Sequence, residues 1–283
     1  MPERISRVMK IMVRKKISSA ENQFVRKAVE AKNRRRGGEH YFLAEGPHMV
    51  EMAVTSSAQI EEVFFTMDFV QTAQGKKILG RLSQRMPQPM FLVEVPANIL
   101  AKIADTETPQ GIIAVVAQLP VPLLRITARK DPLIAVCDGI RDPGNLGTII
   151  RVADAAGADA VLVLPGTCDP FSPKALRATA GSIFNVPVIG MGYSGLFDCL
   201  TDMNIDLIVT DINAGNSLYN CNLKRSVALA LGNEARGVSE ALVSMAADAV
   251  SIPIPGKAES LNVAVAAAVC LYEAVRQRTA STG

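Results

Sequence analysis

Three loops in the second half of the chain hold the residues whose types and spacing suit chemistry on a bound ligand. The first runs Asp138-Gly139-Ile140-Arg141-Asp142-Pro143-Gly144-Asn145-Leu146-Gly147, with Arg151 one helical turn further on. An amide and a guanidinium six residues apart at a helix start could both point into one crevice. The second, Leu231-Gly232-Asn233-Glu234-Ala235-Arg236-Gly237-Val238-Ser239, has Gly237 free to take positive φ and Ser239 suited to cap the next helix. The third is SIPIPGKAESLNVAVAAA, residues 251–268. Its first five residues read as a short strand that Pro253 and Pro255 bar from further pairing. Gly256 turns the chain, and Glu259-Ser260-Leu261-Asn262 places a cap-type residue ahead of an alanine-rich helix. A helix start carries unpaired N–H groups and partial positive charge, so a ligand in this bend would meet backbone donors. An ordinary strand-turn-helix corner has the same pattern. Neither glycine loop is a nucleotide fingerprint: Gly144 and Gly147 do not make G-x-G-x-x-G, and Gly256-Lys257 lacks the upstream glycine of a P-loop.

The elements that must position these loops alternate. Strands are expected at Pro132–Cys137, Ala160–Leu164, Pro187–Met191, Asp206–Thr210, Val227–Leu231 and Ala249–Ile254. Helices are expected near Asn145–Ala156, Lys174–Ala180, Ser194–Asp202, Ser239–Met245 and Asn262–Arg278. Strands this apolar, separated by helices, imply an α/β fold with a parallel sheet covered on both faces, which binds ligands beyond the carboxyl ends of its strands. Ahead of it, Leu119-Pro120-Val121-Pro122 reads as an extended linker. Residues 18–118 form a smaller mixed α/β domain: a surface helix over Ser18–Lys32, strands at Tyr41–Ala44, Ile60–Thr66, Met90–Val95 and Gln110–Ala117, and helices at His48–Ser57, Gly75–Gln84 and Asn98–Ala104. The expected division is a basic arm (1–17), a substrate-binding domain (18–118), a linker (119–130) and the parallel-sheet domain (131–283).

Composition narrows the chemistry. Five cysteines are scattered without a C-x-x-C pair, as in a chain of reduced thiols. The only histidines are His40 and His48, so the parallel-sheet domain cannot run a Ser-His-Asp or His-ligated metal mechanism by itself. No metal site is expected. Aromatics are 5% with no Trp, too few for a large base-stacking surface. No apolar run approaches the ~18 residues of a membrane span. Charge is unevenly placed: Met1–Arg36 holds 12 Lys/Arg against 3 acids, and the remainder 18 against 24. That asymmetry suits a polyanion-binding segment, with Arg34, Arg35 and Arg36 before Gly37-Gly38 as phosphate contacts. A solvated charged face or an organelle transit peptide has similar composition.

In order and strand context, the motifs DPGNLGTIIRVADAAGADAVLV, LALGNEARGVS and SIPIPGKAESLNVAVAAA resemble those of the SpoU (TrmH-like) ribose methyltransferases of the SPOUT superfamily. The resemblance extends to Asp105-Thr106-Glu107-Thr108-Pro109-Gln110-Gly111 and Leu43-Ala44-Glu45-Gly46-Pro47, in what looks like that family's ribosomal-protein-like substrate-binding domain. Only the arm before Ser18 falls outside it. The resemblance implies a deep trefoil knot in the C-terminal domain, a cytoplasmic homodimer, S-adenosylmethionine held by backbone at Gly232, Ile252 and Leu261, and polar active-site positions at Asn145, Arg151, Glu234, Ser260 and Asn262. It implies methyl transfer to a ribose 2′-hydroxyl. A separate N-terminal domain with a basic arm suits a large folded RNA, so ribosomal RNA is expected first and transfer RNA second.

Those positions carry expected roles. Guanidinium stays protonated, so Arg151 reads as a cation for the forming alkoxide and a phosphate, with Asn145 orienting it. Glu234 is the more conventional proton acceptor, and Ser260 and Asn262 hold cofactor or ribose polar groups. Ser260 as a plain helix cap and Asn262 as a first-turn residue stay open. So do two rivals of other classes: a non-catalytic RNA-binding or assembly factor, and a nicotinamide oxidoreductase, which the missing glycine fingerprint disfavours.

Overall fold

The computed structural model describes residues 14–33, 41–84, 90–118 and 130–280. Arg34, Arg35, Arg36 and most of the expected arm and linker lie outside them. The chain divides into two units that part between Gln118 and Lys130, with the short piece Phe171–Pro173 grouped with the first.

In the first unit the elements run β1 (Arg14–Lys16), α1 (Gln23–Asn33), β2 (Tyr41–Glu45), α2 (Pro47–Thr55), β3 (Gln59–Phe65), α3 (Met67–Gln71), α4 (Ala73–Gln84), β4 (Phe91–Glu94), α5 (Ala97–Ile103) and β5 (Ile112–Ala117). The mixed sheet has the order β1-β4-β3-β5-β2. Its β1/β4 and β4/β3 pairs are parallel, and β3/β5 and β5/β2 antiparallel. One expectation changes here. Arg14–Lys16, assigned to the arm, is an edge strand of this sheet. The surface helix α1 is as expected in kind: it buries the stripe Phe24, Val25, Ala28 and Ala31, which packs with α5 over Phe64, Val93 and Val115, and leaves Arg26, Glu30 and Asn33 exposed. Lys32 fastens its end by donating to the carbonyls of Lys102 and Ala104 at 2.9 and 3.0 Å.

Two of the motifs, 60 residues apart, meet in this unit. The Glu45 carboxylate accepts the Asp105 and Thr106 backbone N–H groups at 2.8 and 3.2 Å, and the Thr106 hydroxyl as well. Gly46 next to it has φ 87°, and a Cβ there would press on Gln110. The pairing explains why these short motifs occur together: one supplies the acceptor and the turn, the other the loop they hold.

The second unit alternates throughout: β6 (Leu133–Cys137), α6 (Pro143–Ala155), β7 (Ala160–Val163), α7 (Pro173–Thr179), β8 (Val188–Gly190), α8 (Tyr193–Asp202), β9 (Asp206–Thr210), β10 (Asn216–Ser217), β11 (Val227–Leu231), α9 (Glu240–Met245), β12 (Asp248–Ser251) and α10 (Val263–Thr279). All strand pairs are parallel, in the order β10-β12-β9-β11-β6-β7-β8. Every residue of β6, β7 and β11 is buried, as a sheet covered on both faces requires. All five cysteines are free thiols, and burial pushes Cys137 and Cys270 up to about 12, so both are inert as nucleophiles.

Two contacts hold the helices that frame the loops. At Gly147, α6 lies so close to α7 that a Cβ would stand 2.4 Å from the Ala175 carbonyl oxygen. Gly147→Ala is therefore expected to destabilise this unit by about 1–3 kcal/mol, the usual range for overpacking. In urea, the unfolding midpoint should fall with unchanged slope. At the far end of α10, Arg278 spends its guanidinium on the carbonyls of Leu223, Asp131 and Arg225 at 2.9, 2.7 and 2.7 Å. One side chain thus ties the helix to the segments leading into β6 and β11.

Candidate active site

The three loops follow β6, β11 and β12, at the carboxyl ends of the sheet. In the first, Asp142 caps α6 by accepting the Asn145 N–H at 2.9 Å. Lys174 donates to the same carboxylate at 2.6 Å and holds it below the usual carboxylate range. In the second loop, Asn233 and Gly237 exchange backbone hydrogen bonds, both 2.9 Å, in a tight hairpin that needs φ 71° at Gly237. The Asn233 side chain knits it further, accepting the Ala235 and Arg236 N–H groups and donating to the Gly139 carbonyl at 2.9 Å. Glu234 is thereby presented at the tip.

The third loop departs from expectation. Strand β12 ends at Ser251, before the prolines, so Ile252 begins irregular chain. Asn262, not Ser260, is the N-cap of α10: its Oδ1 accepts the Ala264 and Val265 N–H groups at 2.9 and 3.4 Å. Those donors are therefore engaged by the chain's own cap, because an asparagine at that position reaches the first turn before any ligand can.

Asn145, Glu234 and Asn262, one from each loop, meet in a continuous chain of hydrogen bonds. Asn262 Nδ2 donates to Asn145 Oδ1 at 3.1 Å, and Asn145 Nδ2 donates to Glu234 Oε1 at 2.8 Å. Beside them opens a cavity of about 490 Å³, walled by Val209 and Thr210 of β9, Asp211, Ile212, the Gly232–Val238 hairpin, Val243, Ser260, Leu261 and the start of α10. Gly232, Glu234, Ser260 and Leu261 thus share one wall, while Ile252, Asn145, Asn262 and Arg151 are not part of it. Ile212, Val243 and Leu261 are large apolar side chains left exposed. Apolar surface converging beside a carboxylate and backbone groups is the make-up of a small-molecule site.

Arg151 is exposed and makes no hydrogen bond or ion pair among the described residues. Six residues from Asn145, it stands about 120° around α6; four from Gly147, it lies on the side facing α7. Within one chain, the Asn145 amide is occupied by Glu234 and Asn262 and does not orient Arg151.

Residues without an assigned role turn out to join the loops. Asp138, 4% exposed, accepts the Tyr193 hydroxyl at 2.7 Å and the Ser239 N–H at 2.8 Å. Burial pushes the Tyr193 phenol up, keeping it a donor. Its only sequence signal was a carboxylate at the carboxyl end of an apolar strand, where a side chain must serve either ligand or neighbouring loop. No group of three His, Cys, Asp or Glu gathers as a metal site would among the described residues.

Comparisons with known proteins place the chain among characterised relatives. Residues 132–272 match the model of the SpoU rRNA Methylase family, and residues 22–114 that of the MRM3-like substrate binding domain. The chain is 37% identical over 260 residues to 23S rRNA (guanosine(2553)-2′-O)-methyltransferase RlmP of Bacillus subtilis, covering 91% of this chain and 98% of that protein. It is 36% identical to 23S rRNA (guanosine-2′-O-)-methyltransferase RlmB of Ralstonia nicotianae, covering 83% and 95%. Among solved structures, the AdoMet-bound rRNA methyltransferase from Sinorhizobium meliloti superposes with TM-score 0.81 at 28% identity, covering 93% of this chain and 98% of that one. The SpoU methyltransferase AviRb from Streptomyces viridochromogenes, in complex with AdoMet, gives 0.80 at 29%, covering 92% and 99%. With two family models in series and relatives aligned along nearly its whole length, the chain belongs to the SpoU rRNA methylase family.

Proposed function

We propose that the chain is an S-adenosylmethionine-dependent methyltransferase acting on a ribose 2′-hydroxyl of ribosomal RNA. The observation that carries the reading is the cavity with Glu234 at its edge, at the carboxyl ends of β9 and β11. Its apolar wall at Ile212, Val243 and Leu261 suits an adenine ring and a sulfonium side chain, and Gly232 lines the same cavity. Bound there, S-adenosylmethionine supplies an activated methyl with its own leaving group. Gly232 and Leu261 hold it through their backbone, with Ile252 a third such position, and Ser260 offers a hydroxyl to its polar groups.

What remains for the protein is to place the hydroxyl in line and take its proton. Glu234 is suited to accept that proton, since it is a carboxylate at the cavity wall with one oxygen already bonded to Asn145. Arg151 supplies the cation for the developing alkoxide and for a phosphate. Because it makes no hydrogen bond or ion pair among the described residues, we assign it to the site of a second copy in a homodimer. Val265 and Tyr272, exposed on α10 at i and i+7, support such a pairing. The same reading includes a trefoil knot in the C-terminal unit. It also includes RNA binding by the first unit with Arg34, Arg35 and Arg36, and a cytoplasmic location. No described helix is long and apolar enough to cross a membrane.

The test is transfer of labelled methyl from S-adenosylmethionine to ribosomal RNA from cells lacking the protein, followed by mapping of 2′-O-methyl groups. One methylated ribose in ribosomal RNA is expected, and Glu234→Gln should slow single-turnover transfer by about 100-fold or more. Incorporation only into transfer RNA, or none despite bound cofactor, would overturn the substrate assignment.

A further inference from the structure

The geometry points to Asn262 as a positioning residue for Glu234, acting through Asn145 and touching neither cofactor nor ribose. The inference rests on the reading of Glu234 as proton acceptor.

A primary amide has an acceptor end and a donor end, and the N-cap decides which way the first one faces. Asn262 Oδ1 accepts the Ala264 and Val265 N–H groups, which only an oxygen can do. Its Nδ2 must then point away from the helix, where it donates to Asn145 Oδ1. With its oxygen so taken, Asn145 presents Nδ2 to Glu234 Oε1. Turning either amide over would set donor against donor, or carbonyl oxygen against carboxylate. The polarity of a helix terminus is thus passed through two side chains to one particular carboxylate oxygen, across loops 117 and 89 residues apart. Oε2 makes no hydrogen bond among the described residues and is left for the substrate proton. The cavity agrees, for Glu234 is in its wall and both asparagines are outside it.

Asparagine and aspartate are equivalent as N-caps, but only the amide can donate. Asn262→Asp therefore separates capping from positioning, and Asn262→Ser is a second variant that keeps a cap without an amide. Both should keep the wild-type melting temperature and S-adenosylmethionine affinity, measured by calorimetry. Both should keep KM for ribosomal RNA, and lose about tenfold or more in single-turnover rate, the size expected when a hydrogen bond to a charged group is lost. On a Glu234→Gln background, Asn262→Asp should cost no more than about twofold further, since residues acting through one another are not additive. Full activity in the single variants, loss of cofactor affinity, or an undiminished penalty on the Glu234→Gln background would each overturn the role. A fully active Glu234→Gln enzyme would instead remove the acceptor reading on which it stands.

Discussion

Arg151→Ala is expected to lower single-turnover methyl transfer by on the order of 100-fold or more while leaving fold and cofactor binding nearly intact. The side chain is exposed and unbonded among the described residues, so its removal should change stability by no more than about 0.5 kcal/mol. S-adenosylmethionine affinity should hold because a cation used on the ribose and a phosphate does not hold the cofactor. The loss falls on the chemical step, where a preorganised cation opposite a developing alkoxide is worth about 100- to 1000-fold. Arg151→Lys should rescue poorly, since an ammonium lacks the planar fork that grips two oxygens at once. Single-turnover rates at saturating cofactor, beside calorimetric binding, check it. Near-normal transfer by the alanine variant removes the catalytic role, and lost cofactor affinity moves the residue into the cofactor site.

Gly232→Ala should act on the other half of the site. An added Cβ would stand 2.1, 2.2 and 2.4 Å from Gly237 C, Val238 N and Gly237 O, all backbone atoms that cannot rotate aside. The hairpin must therefore move as a piece, carrying Glu234 and the Asn233 contact to Gly139 with it. Overpacking of this kind costs about 1–3 kcal/mol, which as lost affinity is roughly 5- to 150-fold. Calorimetry should show weakened S-adenosylmethionine binding together with a lower unfolding midpoint. Gly237→Ala is the control: φ 71° makes it strained, but no atom lies within 4 Å of the added carbon. Wild-type affinity in Gly232→Ala would mean that the hairpin is not part of the cofactor site.

Much of this was legible in the sequence because it is local. Short apolar runs bounded by polar residues located β6, β9 and β11, and the strand-loop-helix rhythm implied a parallel sheet. What escaped was what distant residues decide. Arg14–Lys16 carries no alternation and becomes a strand only because β4 offers an edge. Asn216–Ser217 is too short to read at all. Helix α3 is the exception: its cap is local, the Thr66 hydroxyl accepting the Phe69 N–H at 3.3 Å, but five residues are too few to show a period. In the site, residue types were readable but partners were not. Asn145 and Arg151 looked like a pair because they are six apart, yet helical rotation separates them and residues 89 and 117 positions away take the amide. Asp138 went unassigned for the same reason, since its partners are 55 and 101 residues off.

The Arg278 clamp sets an order of assembly during synthesis. A ribosome makes β6 and β11 long before α10, and until α10 emerges the carbonyls of Asp131, Leu223 and Arg225 have only water to bond. Asn262 likewise arrives after both residues it organises. The nascent sheet can therefore pair its strands early but cannot complete the cavity or fix Glu234 until the final helix docks. Until then the cavity lacks Ser260, Leu261 and the start of α10, which complete its wall.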